Sequence, residues 1–518
     1  MTRFSLAART GCVKIAPMRR ASLLFALGLL PLIACSGGKS SSAPPTGDDG
    51  GPGGGETLTY APQGCAYTYT PPAILGFTNL ALDDTGPVDA KGGVPERVRV
   101  GLGGGTTKGK PGYADPTTSA AFTWETVESD HAAKVKLGTA PGMLTDVHTG
   151  YTWTAPKMLS GAVSNMHEVH VCGLKPGTTY FYQVGGGPAG SEVWSQVQSF
   201  TTVPASGSIT VGVSGDARDT VTTWQAVHVR MKNAGVDLQL VDGDVVDSGS
   251  IDDLYDQWLD AIWHDPSDMT KFLTLGQQMI LPIDGNHEND SSISFSEFAI
   301  PGDGPYAETY ASFDAGSAHF VMIDDQQIGE SFDVGNGSDE AKAQLAWLDA
   351  DLAAANADRA NHPFIVVMGH RGYFSTSNHG ADSDVVAARG ALVPLFDKYH
   401  VDLVLNGHDH EYERSYSLHA GNPPTGQPTV VPDGQGTVYV ICAGAGADPY
   451  AVGKTKEAYS KLSVGIGPYA GGQFPGIIGT YALMKLDAHT LTLTAYGLKA
   501  SGTMPMDDDV IDTLTLTH

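Results

Sequence analysis

Apolar and polar positions alternate in short runs between residues 95 and 202. "TTYFYQV", residues 178–184, is the clearest case, and it suits a strand with one face buried. "ERVRVGL", "AAFTWET", "AKVKLGT", "HEVHVCGLKPGTTYFYQVG" and "WSQVQSFTT" repeat the pattern with turn residues between them. They predict a small antiparallel sandwich. Residues 58–94, ahead of it, are Pro-rich and extended-looking.

From residue 209 the pattern changes to strands alternating with helices. "SITVGVSGDARD" reads as a strand and loop, and the next segment puts Trp224, Val227 and Met231 on one helical face. "VDLQLVDGD" is a second strand. Ile251, Leu254, Tyr255, Trp258, Leu259 and Ile262 then recur at helical spacing. "QMILPIDGNHE", a long helix around "DEAKAQLAWLDADLAAA", "PFIVVMGH", the helix "ALVPLFDKYH" and "VDLVLNGHDH" continue the alternation. "GTYALMKLDAHTLTLTAYG" and "VIDTLTLTH" read as closing strands. The expectation is an α+β/α/β chain of two domains: an antiparallel β-sandwich over 58–204, then an α/β unit over 205–518 with sheets flanked by helices.

The start of the chain stands apart. "MRRASLLFALGLLPLIAC", Met18 to Cys35, pairs two arginines with an apolar run too short to span a membrane, so residues 1–34 read as an export signal. The ending "LIAC" resembles a bacterial lipoprotein signal, which implies cleavage before Cys35 and its acylation. An ordinary signal peptide with an incidental cysteine is the alternative. Residues 35–57, rich in Gly, Ser and Pro, suit a flexible tether. The predicted location is exported: lipid-anchored at the outer membrane or cell surface, otherwise periplasmic or secreted.

Charge narrows the partners. Loss of residues 1–34 removes five basic residues and no acids, which takes the formal charge from −27 to −32. So acidic a surface repels nucleic acid and anionic lipid. A phosphate-bearing substrate then needs local positive charge, and metals are the obvious source. A Cys65–Cys172 bridge is conceivable in an exported chain, and Cys442 in "TVYVICAGAG" reads as a core residue.

The strand ends carry the chemistry. "VSGD" delivers Asp216, "VDGD" Asp244, "IDGNH" Asn286 and His287, "VMGH" His370, and "LNGHDH" His408 and His410. Ligands collect at the carboxyl ends of strands in α/β sheets, and a Gly before each polar group would permit a sharp turn. Residues two apart on an extended chain point to one side, so His408 and His410 can reach one crevice. Two carboxylates, an amide oxygen and three imidazoles suit first-row divalent metals and are too many for one ion. A pair of ions about 3.5–4 Å apart, bridged by Asp244, would use them all.

These motifs resemble the calcineurin-like metallophosphoesterases, and among them the purple acid phosphatases. "GHDHEYERS", "GNHE" and "VVMGHRGYFSTSNHG" carry the resemblance in the second domain, and "HVCGLKPGTTYFYQVG" is similar to the fibronectin-III-like domain that precedes it in larger members. The resemblance covers roughly residues 95–518. It implies that Asp216, Asp244 and His410 hold one metal and that Asp244, Asn286, His370 and His408 hold the other. It gives His287 and His379 the task of binding the phosphoryl group or protonating the leaving alcohol.

One departure matters. Purple members carry a tyrosine ligand three residues after the bridging aspartate, where this chain has Asp247. Relatives lacking it use a histidine two residues after the first aspartate, where this chain has Arg218. Asp247 either ligates the first metal or hydrogen-bonds His287, and the second is favoured because a carboxylate partner fixes an imidazole's tautomer. Arg218 either clamps a substrate phosphate or pairs with Asp219 or Asp247. The expected cofactors are two divalent ions (Mn, Fe or Zn), ferric iron being less expected without the tyrosine.

The expected activity is hydrolysis of small phosphomonoesters by hydroxide generated at the metals, in a colourless enzyme working nearer neutral than acidic pH. Phosphodiester hydrolysis on the same core, or a catalytically silent surface-binding lipoprotein, are the alternatives. No nucleic acid is expected as partner, membrane contact is expected only through Cys35, and the oligomeric state stays open.

Overall fold

Three buried segments, Ile209–Ser214, Leu238–Val241 and Met279–Pro282, lie side by side as parallel strands. Strands buried on both faces need no strict alternation, and here Val, Leu and Ile recur on both faces with Thr210, Gly212, Ser214 and Gln239 among them. The computed structural model describes residues 58–70, 78–83, 93–103, 113–126, 132–156, 163–301, 308–419, 428–432, 434–500 and 507–518. The segments expected to be a signal peptide and a tether, with Cys35 between them, lie outside the described residues. Among the described residues no helix is long and apolar enough to cross a membrane.

The three strands sit inside an 11-stranded sheet that the closing strands Ile477–Leu486, Thr490–Lys499 and Asp509–Thr517 complete on one side. A second, 8-stranded sheet places Ala318–Met322, Phe364–Met368, Leu403–Asn406 and Val438–Cys442 in parallel. Val211, Leu240, Leu281, Phe320, Val366 and Leu405 belong to one continuous core between the two sheets.

Helices cover the outer faces. Val221–Ala234 and Asp252–Trp263 pack with Val241 and Ile280 of the first sheet in one cluster, and a Trp224–Trp258 stack at 4.7 Å joins the two helices to each other. The first of these stops at Gly235, whose φ of 65° lets its N–H reach the carbonyls of Lys232 and Met231. Asp339–Ala357 starts where the Ser338 hydroxyl accepts the Ala341 N–H, and it packs on the second sheet with Ser383–Tyr399. That last helix begins eight residues earlier than "ALVPLFDKYH" suggests. The apolar residues of its first two turns, Val385 to Ala388, are contiguous and so show no helical period.

The N-terminal region is an antiparallel sandwich. Lys134–Gly138, Asp146–Thr149, Thr179–Gly186, Val193–Trp194 and Gln198–Thr201 form one sheet. Its other sheet, with Glu96–Gly101, Ser119–Thr126, Tyr151–Pro156 and Val163–Cys172, does not end at residue 204. Val100 pairs in parallel with Met279, which carries the sheet into the C-terminal α/β half. Tyr113–Ala114 adds to the edge of the second sheet beside Ser312–Phe313. Sequence patterns report local period, and neither long-range pairing leaves a local trace. Cys65 and Cys172 are disulfide-bonded, and Cys442 is free and buried.

Candidate metal centre

Asp216, Asp244 and His370 come together at their strand ends, by a different backbone route from the one expected. Asp216, Asp244 and His408 themselves take positive φ, at 53°, 51° and 72°. That region costs a non-glycine residue about 1–2 kcal/mol. Of the glycines just ahead of the ligands, Gly243 has positive φ, at 91°. The others matter for space: a Cβ on Gly215 would overlap the Asp242 carboxylate, and one on Gly407 would lie 2.6 Å from Asp216 Oδ2. Nor is the 408–410 stretch extended. Left-handed His408 turns the chain, and the His408 ring lies by His370 and His379 while that of His410 lies by Asp216 and Tyr450.

Hydrogen bonds hold these strained residues. Asp216 N–H donates to Gly243 O at 2.9 Å, and the Asp216 carboxylate accepts His408 N–H at 3.1 Å. Buried Glu288 accepts the backbone N–H groups of Asp244, Val245, Val246 and Gly285 at 2.8–3.1 Å. Asp325 accepts those of His370 and Arg371 and the Tyr373 hydroxyl. Asp409, between the two histidines, turns away to accept Asn378 and His379 N–H groups at 2.9 and 3.0 Å. Glu288 and Asp409 stand inside the motifs, yet their task depends on partners that the sequence does not place. Asp325 had no signal beyond following a strand. Tyr412 and Arg414, beside the ligands in sequence, both reach Asp512 and tie two strands together.

The donor set fits metal ions. Ligand atoms of Asp216, Asp244 and His370 lie within 4.8 Å of one another, and all three residues are buried. Asn286 Oδ1 is 3.1 Å and Asp244 Oδ1 3.4 Å from His370 Nε2, while Asp216 Oδ1 is 3.4 Å from His410 Nε2. The Nδ1–H groups of His370 and His410 donate to the carbonyls of Asp242 and Asp448 at 2.7 and 2.6 Å. Both rings therefore turn an Nε2 lone pair to the crevice, as a ligating imidazole must. His408 stacks edge-on to His370 at 5.1 Å and lies 4.4 Å from His379.

Electrostatics agree. Burial, with His370 and His379 adding to it, drives His408 well below its ordinary pKa, leaving it neutral. Burial works against charge on His370 and His410 too, but Asp244 and Asp216 outweigh it and raise both. Burial raises Asp216. Protons shared among acids and imidazoles mark a centre that a cation would complete, releasing them.

The four residues expected to assist catalysis ring this centre. His287 Nε2 is 3.9 Å from Asp244 Oδ2. Its Nδ1–H donates to the backbone carbonyl of Asp247 at 2.9 Å, whereas the Asp247 carboxylate stands 3.6 Å away. That carboxylate is exposed and accepts from Arg218 at 3.1 Å. The tautomer is thus set by a carbonyl, not by the carboxylate. Arg218 also lies 3.7 Å from both Asp219 and Asp244, and its buried Nε has no hydrogen-bond partner. His379 Nδ1 pairs with Asp382 at 2.7 Å. Tyr450, which carried no signal in the sequence, lies flat on His410 with ring centroids 4.0 Å apart, and burial pushes its phenol up to about 12.

Comparison with known proteins places the chain. A family model, "Purple acid Phosphatase, N-terminal domain", matches residues 110–202. Purple acid phosphatase 18 of Arabidopsis thaliana is 26% identical over 66% of this chain and 71% of its own length. Purple acid phosphatase 15 of the same plant is 29% identical, over 48% of this chain and about half of itself (49%). An uncharacterised protein of Mycobacterium tuberculosis is 25% identical over 64% of this chain and 67% of its own length. The purple acid phosphatase of yellow lupin (Lupinus luteus) seeds shares the fold, with a TM-score of 0.61 at 16% identity over 82% of this chain and 74% of its own. PhoD aligns with a TM-score of 0.50 at 12% identity over 83% of this chain and 94% of its own. In fold and in sequence this chain is purple acid phosphatase-like.

Proposed function

We propose that this protein is a binuclear metal-dependent phosphatase acting on small phosphomonoesters. The observation that carries the reading is the inward convergence of Asp216, Asp244, Asn286, His370 and His410, with the Nδ1 of both histidines anchored on carbonyls. Asp216, Asp244 and His410 would hold one divalent ion, and Asp244, Asn286, His370 and His408 the other. Such a pair, when bound, acidifies a water toward neutrality and offsets the charge of phosphoryl oxygens.

The chain's own groups do the rest. Arg218 keeps a buried Nε without a hydrogen bond 3.7 Å from Asp244 Oδ2, where a phosphoryl oxygen would accept from it. His287 keeps Nδ1–H on the Asp247 carbonyl, so as an imidazolium it passes its proton from Nε2 to the leaving alkoxide. His379, oriented by Asp382 and by Asp409, serves the same side. Asp247 acts through Arg218 and through its carbonyl. With Asp247 where a tyrosine ligand would stand, Mn, Fe(II) or Zn is expected, in a colourless protein with a pH optimum nearer neutral than acidic. Lipid attachment at Cys35 would hold the enzyme at a membrane surface.

The test is a substrate panel on the two-metal protein. Turnover of p-nitrophenyl phosphate well above bis-p-nitrophenyl phosphate is expected. The reverse preference, or no turnover of any ester, pyrophosphate or nucleotide, contradicts the reading.

A further inference from the structure

We propose that Tyr450 is a phosphate-binding residue whose phenol O–H, beside the Arg218 guanidinium, donates to an oxygen of phosphate held on the Asp216–His410 side of the centre. The inference rests on the reading above and adds a binding group to it. The ring is fixed twice over. It stacks on His410 at 4.0 Å with planes 14° apart, and it leans on His379 at 5.4 Å. Tyr450 N–H donates to His410 O at 3.2 Å, while Asp448, two residues earlier, takes the His410 Nδ1–H. Downstream, Ala451 O accepts the Ser377 hydroxyl and Thr455 N–H donates to Thr376 O, both at 3.2 Å, which ties the loop to the segment that carries His379.

The hydroxyl has no partner of its own among the described residues, and the charges that act on it are Arg218, Asp216, Asp409 and Asp244. Arg218 Nε, 3.7 Å from Asp244 Oδ2, is buried and likewise makes no hydrogen bond. Two unused donors thus flank the same pair of carboxylates. A phenyl ring would stack on His410 equally well, so the hydroxyl is surplus to packing. A neutral donor also suits the place: it binds an anion without repelling the neighbouring cations.

Isothermal titration of the two-metal protein with inorganic phosphate tests this, with Tyr450→Phe against wild type. The expected result is a Kd about tenfold weaker, one hydrogen bond of roughly 1.4 kcal/mol, with metal content and melting temperature unchanged. A Kd within threefold of wild type overturns the proposal. So does loss of metal from Tyr450→Phe, which would make the hydroxyl part of the centre's assembly. The readout needs no turnover. A wild type that binds phosphate but hydrolyses no ester defeats the phosphatase reading and leaves the Tyr450 result standing, whereas one that binds no phosphate defeats both.

Discussion

His287 illustrates how a single backbone oxygen can do what a carboxylate was expected to do. Its Nδ1–H reaches the carbonyl of Asp247, so replacing the side chain leaves that bond in place. What Asp247→Asn removes is an ion pair with Arg218 whose carboxylate is 65% exposed, and exposed pairs contribute at most about 1 kcal/mol. We expect Asp247→Asn to keep both metals and to lose less than about tenfold in kcat/KM. Asp244→Asn should lose a metal by elemental analysis and about a hundredfold or more in activity, because this one carboxylate faces both halves of the centre. Asp216, Asp244, Asn286, His370 and His408 stood out in the sequence as candidates because each follows an apolar run and a glycine. The partner of His287 did not, since any residue at 247 presents a carbonyl and no pattern says where it points.

At the scale of elements, the centre depends on loops pinned from behind. Glu288 gathers four N–H groups from two different loops, and an amide can accept with only one of its two ends. Glu288→Gln should therefore weaken metal affinity about 10–100-fold, the size of other outer-shell losses, while far-UV circular dichroism stays at wild type. Gly407→Ala should also lose metal, since its Cβ would approach Asp216 Oδ2 and Asp242 O within 2.7 Å. The parallel strands and main helices could be read from period alone. The turn at His408 could not, because a left-handed histidine breaks the alternation that placed it beside His410. The Val100–Met279 pairing was equally invisible, since a one-residue bridge between distant segments follows from packing.

At the scale of the whole molecule, stability should depend on pH through a triad, buried His319 and Asp351 with half-buried Asp314, that contributes no residue to the candidate metal centre. Burial works against charge on His319, but hydrogen bonds to Asp314 at 2.7 Å and Asp351 at 2.9 Å outweigh it and lift its pKa to about 9. His362, 3.8 Å from Asp314, is the neighbouring titratable base. A raised histidine pKa stabilises the fold fully below the unfolded value of about 6.5 and loses that effect as pH rises through about 9. The contribution is roughly 3 kcal/mol. Melting temperature should thus decline between about pH 6.5 and 9 in wild type, with a shallower decline in His319→Gln. The Cys65–Cys172 bridge closes a separation of 107 residues, so its removal should cost about 2–5 kcal/mol, read by chemical denaturation of the double serine variant.

The central claim is that six side chains from separate loops hold two cations. Elemental analysis combined with anomalous diffraction of metal-loaded crystals tests it most directly. The account predicts two ions per chain, about 3.5–4 Å apart, one beside Asp216 and His410 and the other beside Asn286, His370 and His408, with Asp244 touching both. A single ion, or a pair bound away from Asp244, would contradict it.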